Sequence, residues 1–196
     1  MLNKNLIIYI HGAGGSANEA EYYAPLFNGE VIGFDYKAEN AWDAKAEFVN
    51  FFDLHSANYK SVVIIANSIG AYFSMHTLAQ KPIDRAFFIS PIVNMEKLIL
   101  DMMARANVTE AELRDKQEIG NLSWKYLCYA RENPISWTVP TDILYGENDN
   151  LTSLETITAF AKKINATLTV VKGGEHWFHT SDLVISDWVL GIRKKF

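Results

Sequence analysis

The sequence predicts a three-layer α/β domain whose middle layer is a mostly or wholly parallel six-stranded sheet. Two observations carry this prediction. Six short apolar runs are mostly continuous rather than alternating, as expected for strands covered on both faces. Helical patterns fill most of the gaps between them, and strand alternating with helix calls for right-handed crossovers in a doubly wound sheet.

The first strand is expected over residues 6–10 and runs into His11-Gly12-Ala13-Gly14-Gly15-Ser16, whose glycines permit a tight turn and a close backbone approach to a ligand. The second covers residues 31–34. A helix over residues 41–55 follows, with Trp42, Ala46, Val49 and Phe52 on one face. The third strand, residues 62–66, leads into Asn67-Ser68-Ile69-Gly70 and a helix over residues 70–80 that Pro82 ends. The fourth strand covers residues 86–89. The fifth, residues 143–145, precedes Thr152-Ser153-Leu154-Glu155, a capping box that opens a helix to about residue 164. The sixth covers residues 168–171, and a last helix over residues 182–194 has the apolar set Leu183, Ile185, Trp188, Val189 and Ile192. The expected spatial order is 2-1-3-4-5-6. Its reversal lies between strands one and three, so the glycine loop and the Ser68 turn flank one crevice.

Residues 94–137 break the rhythm. They show no good strand, only the helical patterns Met95–Ala106 and residues 110–132, the second interrupted by Gly120 and Asn121. An insertion between two strands of such a sheet is expected to form a small helical cap over the strand C-termini, within a single domain spanning residues 1–196. Its Met102, Met103, Trp124, Tyr126, Tyr129 and Trp137 serve either as its own core or as the wall of a substrate pocket.

Composition narrows the function. Hydrophobic residues are 49% and charged residues 21%, ordinary for a folded chain, and 196 residues suffice for one substantial core. A net charge of −5 argues against a general nucleic-acid or anionic-membrane binder. Arg193-Lys194-Lys195 reads as a solvated helix end, where the dipole favours cations. The single cysteine, Cys128, sits among Tyr126, Leu127 and Tyr129 and reads as a packed thiol in a reducing compartment. The first apolar run is too short for a signal-peptide core and no run approaches membrane-spanning length, so a cytoplasmic location is expected.

Three segments carry chemistry. Ser68 lies on a strand-to-helix turn that holds its backbone strained and its hydroxyl out of the sheet, and Ala66 and Gly70 have the small size this turn demands. Asp149 lies in Tyr145-Gly146-Glu147-Asn148-Asp149-Asn150 after the fifth strand. His176 lies in Lys172-Gly173-Gly174-Glu175-His176-Trp177 after the sixth. All three follow strand C-termini and therefore share one edge of a parallel sheet. By itself Ser68 could be an ordinary N-cap. His179 competes with His176, and Glu147 and Asp142 compete with Asp149, although Asp142 starts its strand on the opposite edge. His11 reads as structural support for the glycine loop, and His55 and His76 as helix bystanders. No histidine, cysteine and carboxylate cluster has metal-ligand spacing.

These residues resemble the α/β-hydrolase fold superfamily over nearly the whole chain. The resemblance rests on the oxyanion-type loop at residues 11–15, the Ser68 turn, Asp149 and His176, in the chain order Ser, Asp, His. Ala66 replaces the glycine usual at the start of the nucleophile motif. The resemblance implies a small serine esterase. Ser68 is its nucleophile, His176 the base, Asp149 the orienting acid, and the Ala13 and Ile69 N–H groups form the oxyanion hole. It implies a small-molecule acyl substrate, no cofactor and no metal, with Tyr22, Trp124 and Trp177 as pocket-wall candidates.

Two other readings stay open. Gly12-Ala13-Gly14-Gly15-Ser16-Ala17 also matches a dinucleotide-binding fingerprint, with Asp35 placed to hold a ribose, although Pro25 cuts short the helix that should follow. A hydrolase-like fold could also bind a ligand without turning it over.

Overall fold

The computed structural model describes residues 5–177 and 182–193. Among the described residues eight strands form: β1 Asn5–Ile10, β2 Glu30–Phe34, β3 Ser61–Asn67, β4 Arg85–Ile89, β5 Glu118–Ile119, β6 Leu122–Ser123, β7 Thr141–Gly146 and β8 Thr167–Val171. The helices are α1 Ala20–Tyr23, α2 Ala41–Ser56, α3 Ser68–Thr77, α4 Met95–Ala106, α5 Glu110–Lys116, α6 Trp124–Glu132, α7 Leu154–Lys163 and α8 Asp182–Arg193.

The main sheet runs β2-β1-β3-β4-β7-β8, parallel throughout. With the small β5–β6 hairpin left out of the count, this is the expected order 2-1-3-4-5-6. The register pairs Ile10 with Ala66, Asn67 with Ile89 and Gly146 with Val171, so the loops after β1, β3, β7 and β8 leave from one edge.

The continuous apolar runs have a direct structural cause. Leu6, Ile8 and Ile10 point into one core with α2, α3 and α7, whereas Ile7 and Tyr9 point into a second core with α1 and α8. A strand buried on both faces has no solvent side to make polar. Residues 94–137 extend the first of these layers. Met95, Ile99, Met103, Leu113, Leu122, Leu127 and Trp137 join its core, and the Tyr126 and Tyr129 rings lie 5.2 and 5.1 Å from that of Trp42 on α2. Among the described residues, no helix is long and apolar enough to cross a membrane.

Three local expectations are corrected. The helical pattern over residues 110–132 divides into α5, an antiparallel hairpin and α6. Gln117 and Gly120 have φ of 65° and 58°, left-handed values that end one helix and turn the hairpin. The N-cap of α7 is Ser153, whose Oγ accepts from the Thr156 N–H at 3.2 Å, while the buried Thr152 hydroxyl donates to the Pro91 carbonyl instead. Helix α3 begins at Ser68 and ends at Thr77, because a separate turn, Lys81 N–H to Leu78 carbonyl, already forms ahead of Pro82.

Candidate active site

Ser68 sits where β3 becomes α3. Its φ is +49°, a left-handed value costly for a side-chain-bearing residue, held because the strand before it and the helix after it are both packed. A Cβ on Gly70 would lie 2.3 Å from the His11 carbonyl oxygen, so only glycine allows the turn and the glycine loop to touch. Ala66 is fully buried, and the extra methyl is accommodated.

Asp149 and His176 come together because their loops are stitched. A Cβ on Gly146 would meet the Glu175 carbonyl at 2.5 Å. The Glu147 N–H donates to Val171 at 3.0 Å and the Asn148 N–H to Gly174 at 2.7 Å. The Glu147 carboxylate accepts from the Gly173 N–H at 2.9 Å, which makes it a brace between the loops rather than a partner of the imidazole.

The result is a hydrogen-bonded relay. Asp149 Oδ2 lies 2.7 Å from His176 Nδ1, and His176 Nε2 lies 2.8 Å from Ser68 Oγ. The other Asp149 oxygen accepts from the Leu151 and Thr152 N–H groups at 2.8 and 3.0 Å. A carboxylate engaged on both oxygens and 0% exposed holds the imidazole in one orientation, with Nδ1–H toward Asp149 and Nε2 free to accept the serine proton. His176 is 1% exposed, so its ring is shielded from bulk solvent.

The remaining expectations are placed as follows. Ile69 is the second residue of α3, so its N–H has no acceptor within the helix. Ala13 lies in the exposed part of the glycine loop, and Gly12 abuts Ser68, with a Cβ there only 3.2 Å from Ser68 Cβ. A cavity of about 360 Å³ opens beside this loop, lined by residues 12–15 with Glu19, Tyr22, Tyr23, Asn67, Trp177 and Ile185. Tyr22 and Trp177 line it. Trp124 does not; it packs against the larger core, and no residue of 94–137 lines this cavity. His11 stacks on Tyr36 at 4.3 Å and bonds the Gly12 carbonyl through Nδ1, a supporting position. His55 packs on Phe51, and His76 is held neutral by burial, its pKa pushed down to about 4. Asp142 pairs with Arg85 at the opposite edge of the sheet. His179 lies outside the described residues. Among the described residues no cluster could hold a metal ion.

A polar network behind Ser68 was not foreseen. The Tyr9 hydroxyl donates to Glu19 and accepts from Asn67 Nδ2 at 2.7 Å. Glu19 is itself tied down by the Ser16 N–H at 2.8 Å in a capping box. Ser16-x-x-Glu19 was a legible signal for that last contact. Nothing in the sequence brought Tyr9 to Asn67.

No protein-family model and no curated protein matches the chain. Solved structures do. Est1E from Butyrivibrio proteoclasticus is similar at 16% identity and a TM-score of 0.77, over 100% of this chain and 89% of that one. The protein XCC1541 from Xanthomonas campestris pv. campestris, described as of the alpha/beta superfamily, is similar at 15% identity and 0.64, over 100% of both chains. The esterase PF2001 of Pyrococcus furiosus is similar at 18% identity and 0.62, over 98% and 81%. The fold is that of the α/β hydrolases. In this α/β-hydrolase fold the Ser68 turn, the Asp149 loop and the His176 loop occupy the carboxyl edge of the sheet, where the strand order reverses and ligands bind in open α/β folds.

Proposed function

We propose that the protein is a serine hydrolase that cleaves a small ester or related acyl compound through an acyl-enzyme. One observation carries the reading: the continuous hydrogen-bond path Asp149 to His176 to Ser68, at 2.7 and 2.8 Å, beside a cavity large enough for a small molecule. In this reading Ser68 Oγ attacks the acyl carbonyl as His176 Nε2 takes its proton. Asp149 stabilises the imidazolium that forms. The proton then passes to the leaving group as the tetrahedral intermediate collapses to the acyl-enzyme, and water attacks in a second, mirrored half-reaction. The N–H groups of Ala13 and Ile69 take the developing oxyanion, a role in which each donor typically contributes about 2.7–4 kcal/mol to lowering the barrier.

The dinucleotide reading has less support. The glycine loop leads into the four-residue α1 between short 3₁₀ turns, so no long helix aims its N-terminus at a phosphate there, and Asp35 is exposed and paired with Lys37 at 2.7 Å. The direct test is a screen of p-nitrophenyl esters of graded acyl length beside Ser68→Ala, with labelling by a fluorophosphonate probe. We expect hydrolysis and labelling that both vanish in Ser68→Ala. Hydrolysis that survives the substitution rejects Ser68 as nucleophile. Binding of esters with neither turnover nor labelling turns the reading toward a non-catalytic protein.

A further inference from the structure

We propose that the cavity beside Ser68 selects substrates whose acyl group ends in a protonated amine, and rejects those that end in a carboxylate. This rests on the hydrolase reading for the purpose the cavity serves. The lining has an apolar, aromatic wall of Tyr22, Tyr23, Trp177 and Ile185, and a polar end at Glu19 and Asn67. Among its described lining residues there is no lysine, arginine or histidine, and Glu19 carries the one formal charge.

The hydrogen bonds decide what that polar end can receive. Glu19 is acceptor-only. One oxygen takes the Ser16 N–H and the other the Tyr9 hydroxyl, and each keeps a further lone pair. Tyr9 has one proton and gives it to Glu19, so its oxygen can only accept. Asn67 must therefore turn its Nδ2 to Tyr9, at 2.7 Å, which fixes the amide and leaves Oδ1 as a buried acceptor with no partner among the described residues. Asn67 is 2% exposed, so that acceptor is shielded from bulk solvent. The exposed Glu19 carboxylate stands at one end of the cavity, with Asn67 Oδ1 buried beside it and the Tyr23 ring in hydrogen-bonding reach of Asn67, and the aromatic faces of the lining also favour a cation. An ammonium group supplies three donors and the complementary charge. A carboxylate supplies neither, and meets Glu19 with no lysine, arginine or histidine among the described lining residues.

The test uses three p-nitrophenyl esters of matched shape: 4-(aminomethyl)benzoate, 4-ethylbenzoate and 4-(carboxymethyl)benzoate. We expect kcat/KM for the amine to exceed that for the ethyl ester by about tenfold, with the carboxylate slowest, and the preference to shrink as salt is raised. Glu19→Gln keeps the Ser16 N–H hydrogen bond through its one amide oxygen but puts an NH2 group where Tyr9 met an acceptor, so it removes both the charge and that acceptor, and should bring the amine-to-ethyl ratio to within about threefold of unity. Calorimetric binding of the same esters to Ser68→Ala reads the preference without turnover. If the ethyl or carboxymethyl ester matches the amine in both hydrolysis and binding, the inference is wrong and the hydrolase reading stands. If the amine is preferred in binding while no ester is cleaved, the inference holds and the hydrolase reading falls. If no ester is bound or cleaved, both fall.

Discussion

Strand β7 has a buried carboxylate at each end, and the two behave as opposites. Near its start, Asp142 is 1% exposed and receives the Arg85 guanidinium through Nε at 2.7 Å and through Nη2. Just past its end, Asp149 is equally buried and holds the imidazole of His176, which reaches on to Ser68. An arginine keeps its proton at any physiological pH, so the Asp142 pair can only hold β4 against β7. An imidazole can take and return a proton, so the Asp149 pair can serve chemistry. The partner's chemistry, rather than burial or the acid, separates the two carboxylates: a guanidinium holds its proton, whereas an imidazole can exchange one.

The sharpest way to break this contrast is to neutralise each acid's pair in turn. Asp149→Asn removes the charge that orients and stabilises the imidazolium while keeping the shape. Ester kcat should fall by about 10⁴, with a thermal midpoint near that of the parent. A loss below tenfold would return Asp149 to the same structural class as Asp142. Arg85→Ala should do the reverse. It strands Asp142 in the core and should destabilise the fold by about 3 kcal/mol in urea unfolding, with kcat/KM per folded molecule unchanged.

Histidine offers a smaller version of the comparison. His76 on α3 has no proton path to serine, and burial pushes its pKa down to about 4. Its folded pKa lies below the value of about 6.5 in an unfolded chain, so on acidification the unfolded state takes up the proton first. Stability present above about pH 6.5 is therefore lost as the pH falls toward 4, by roughly 2 kcal/mol for a partly exposed group. Unfolding free energies measured across this window should decline in the parent and flatten in His76→Gln. A parent curve already flat would remove His76 from the account. The smallest effect belongs to Asp35, whose exposed pair with Lys37 lowers its pKa through the Lys37 hydrogen bond. Asp35→Asn should leave both the thermal midpoint and ester hydrolysis unchanged within error, whereas a loss of activity would revive a binding role for that carboxylate.

Much of this arrangement was legible before any coordinates. Apolar runs without alternation announced central strands β1, β3, β4 and β7 covered on both faces. The edge strand β8, read the same way, leaves Val170 exposed, because among the described residues no strand or helix closes over that edge of the sheet on both sides. Strand followed by helix announced the parallel sense. Small residues around Ser68 and the glycines after β1 marked the places where the chain must turn tightly. These features are local: they depend on side-chain size, branching and hydrophobicity at neighbouring positions, which any reader of the chain can see. The β5–β6 hairpin escaped because its strands are two residues long, too short to show a period.

Partnership was decided in three dimensions. Glu147 and Asp149 are two residues apart, and only the seam between the β7 and β8 loops assigns one to Gly173 and the other to His176. Trp124 was as plausible a pocket wall as Trp177, yet the packing of residues 94–137 onto α2 carried it elsewhere. The link from Glu19 through Tyr9 to Asn67 joins positions up to 58 residues apart. A hydrogen bond needs atoms within about 3 Å, and sequence spacing says nothing about distance once the chain has folded back on itself. The sequence by itself determined which chemical groups the carboxyl edge of the sheet would carry; the tertiary structure alone decided which of them would meet.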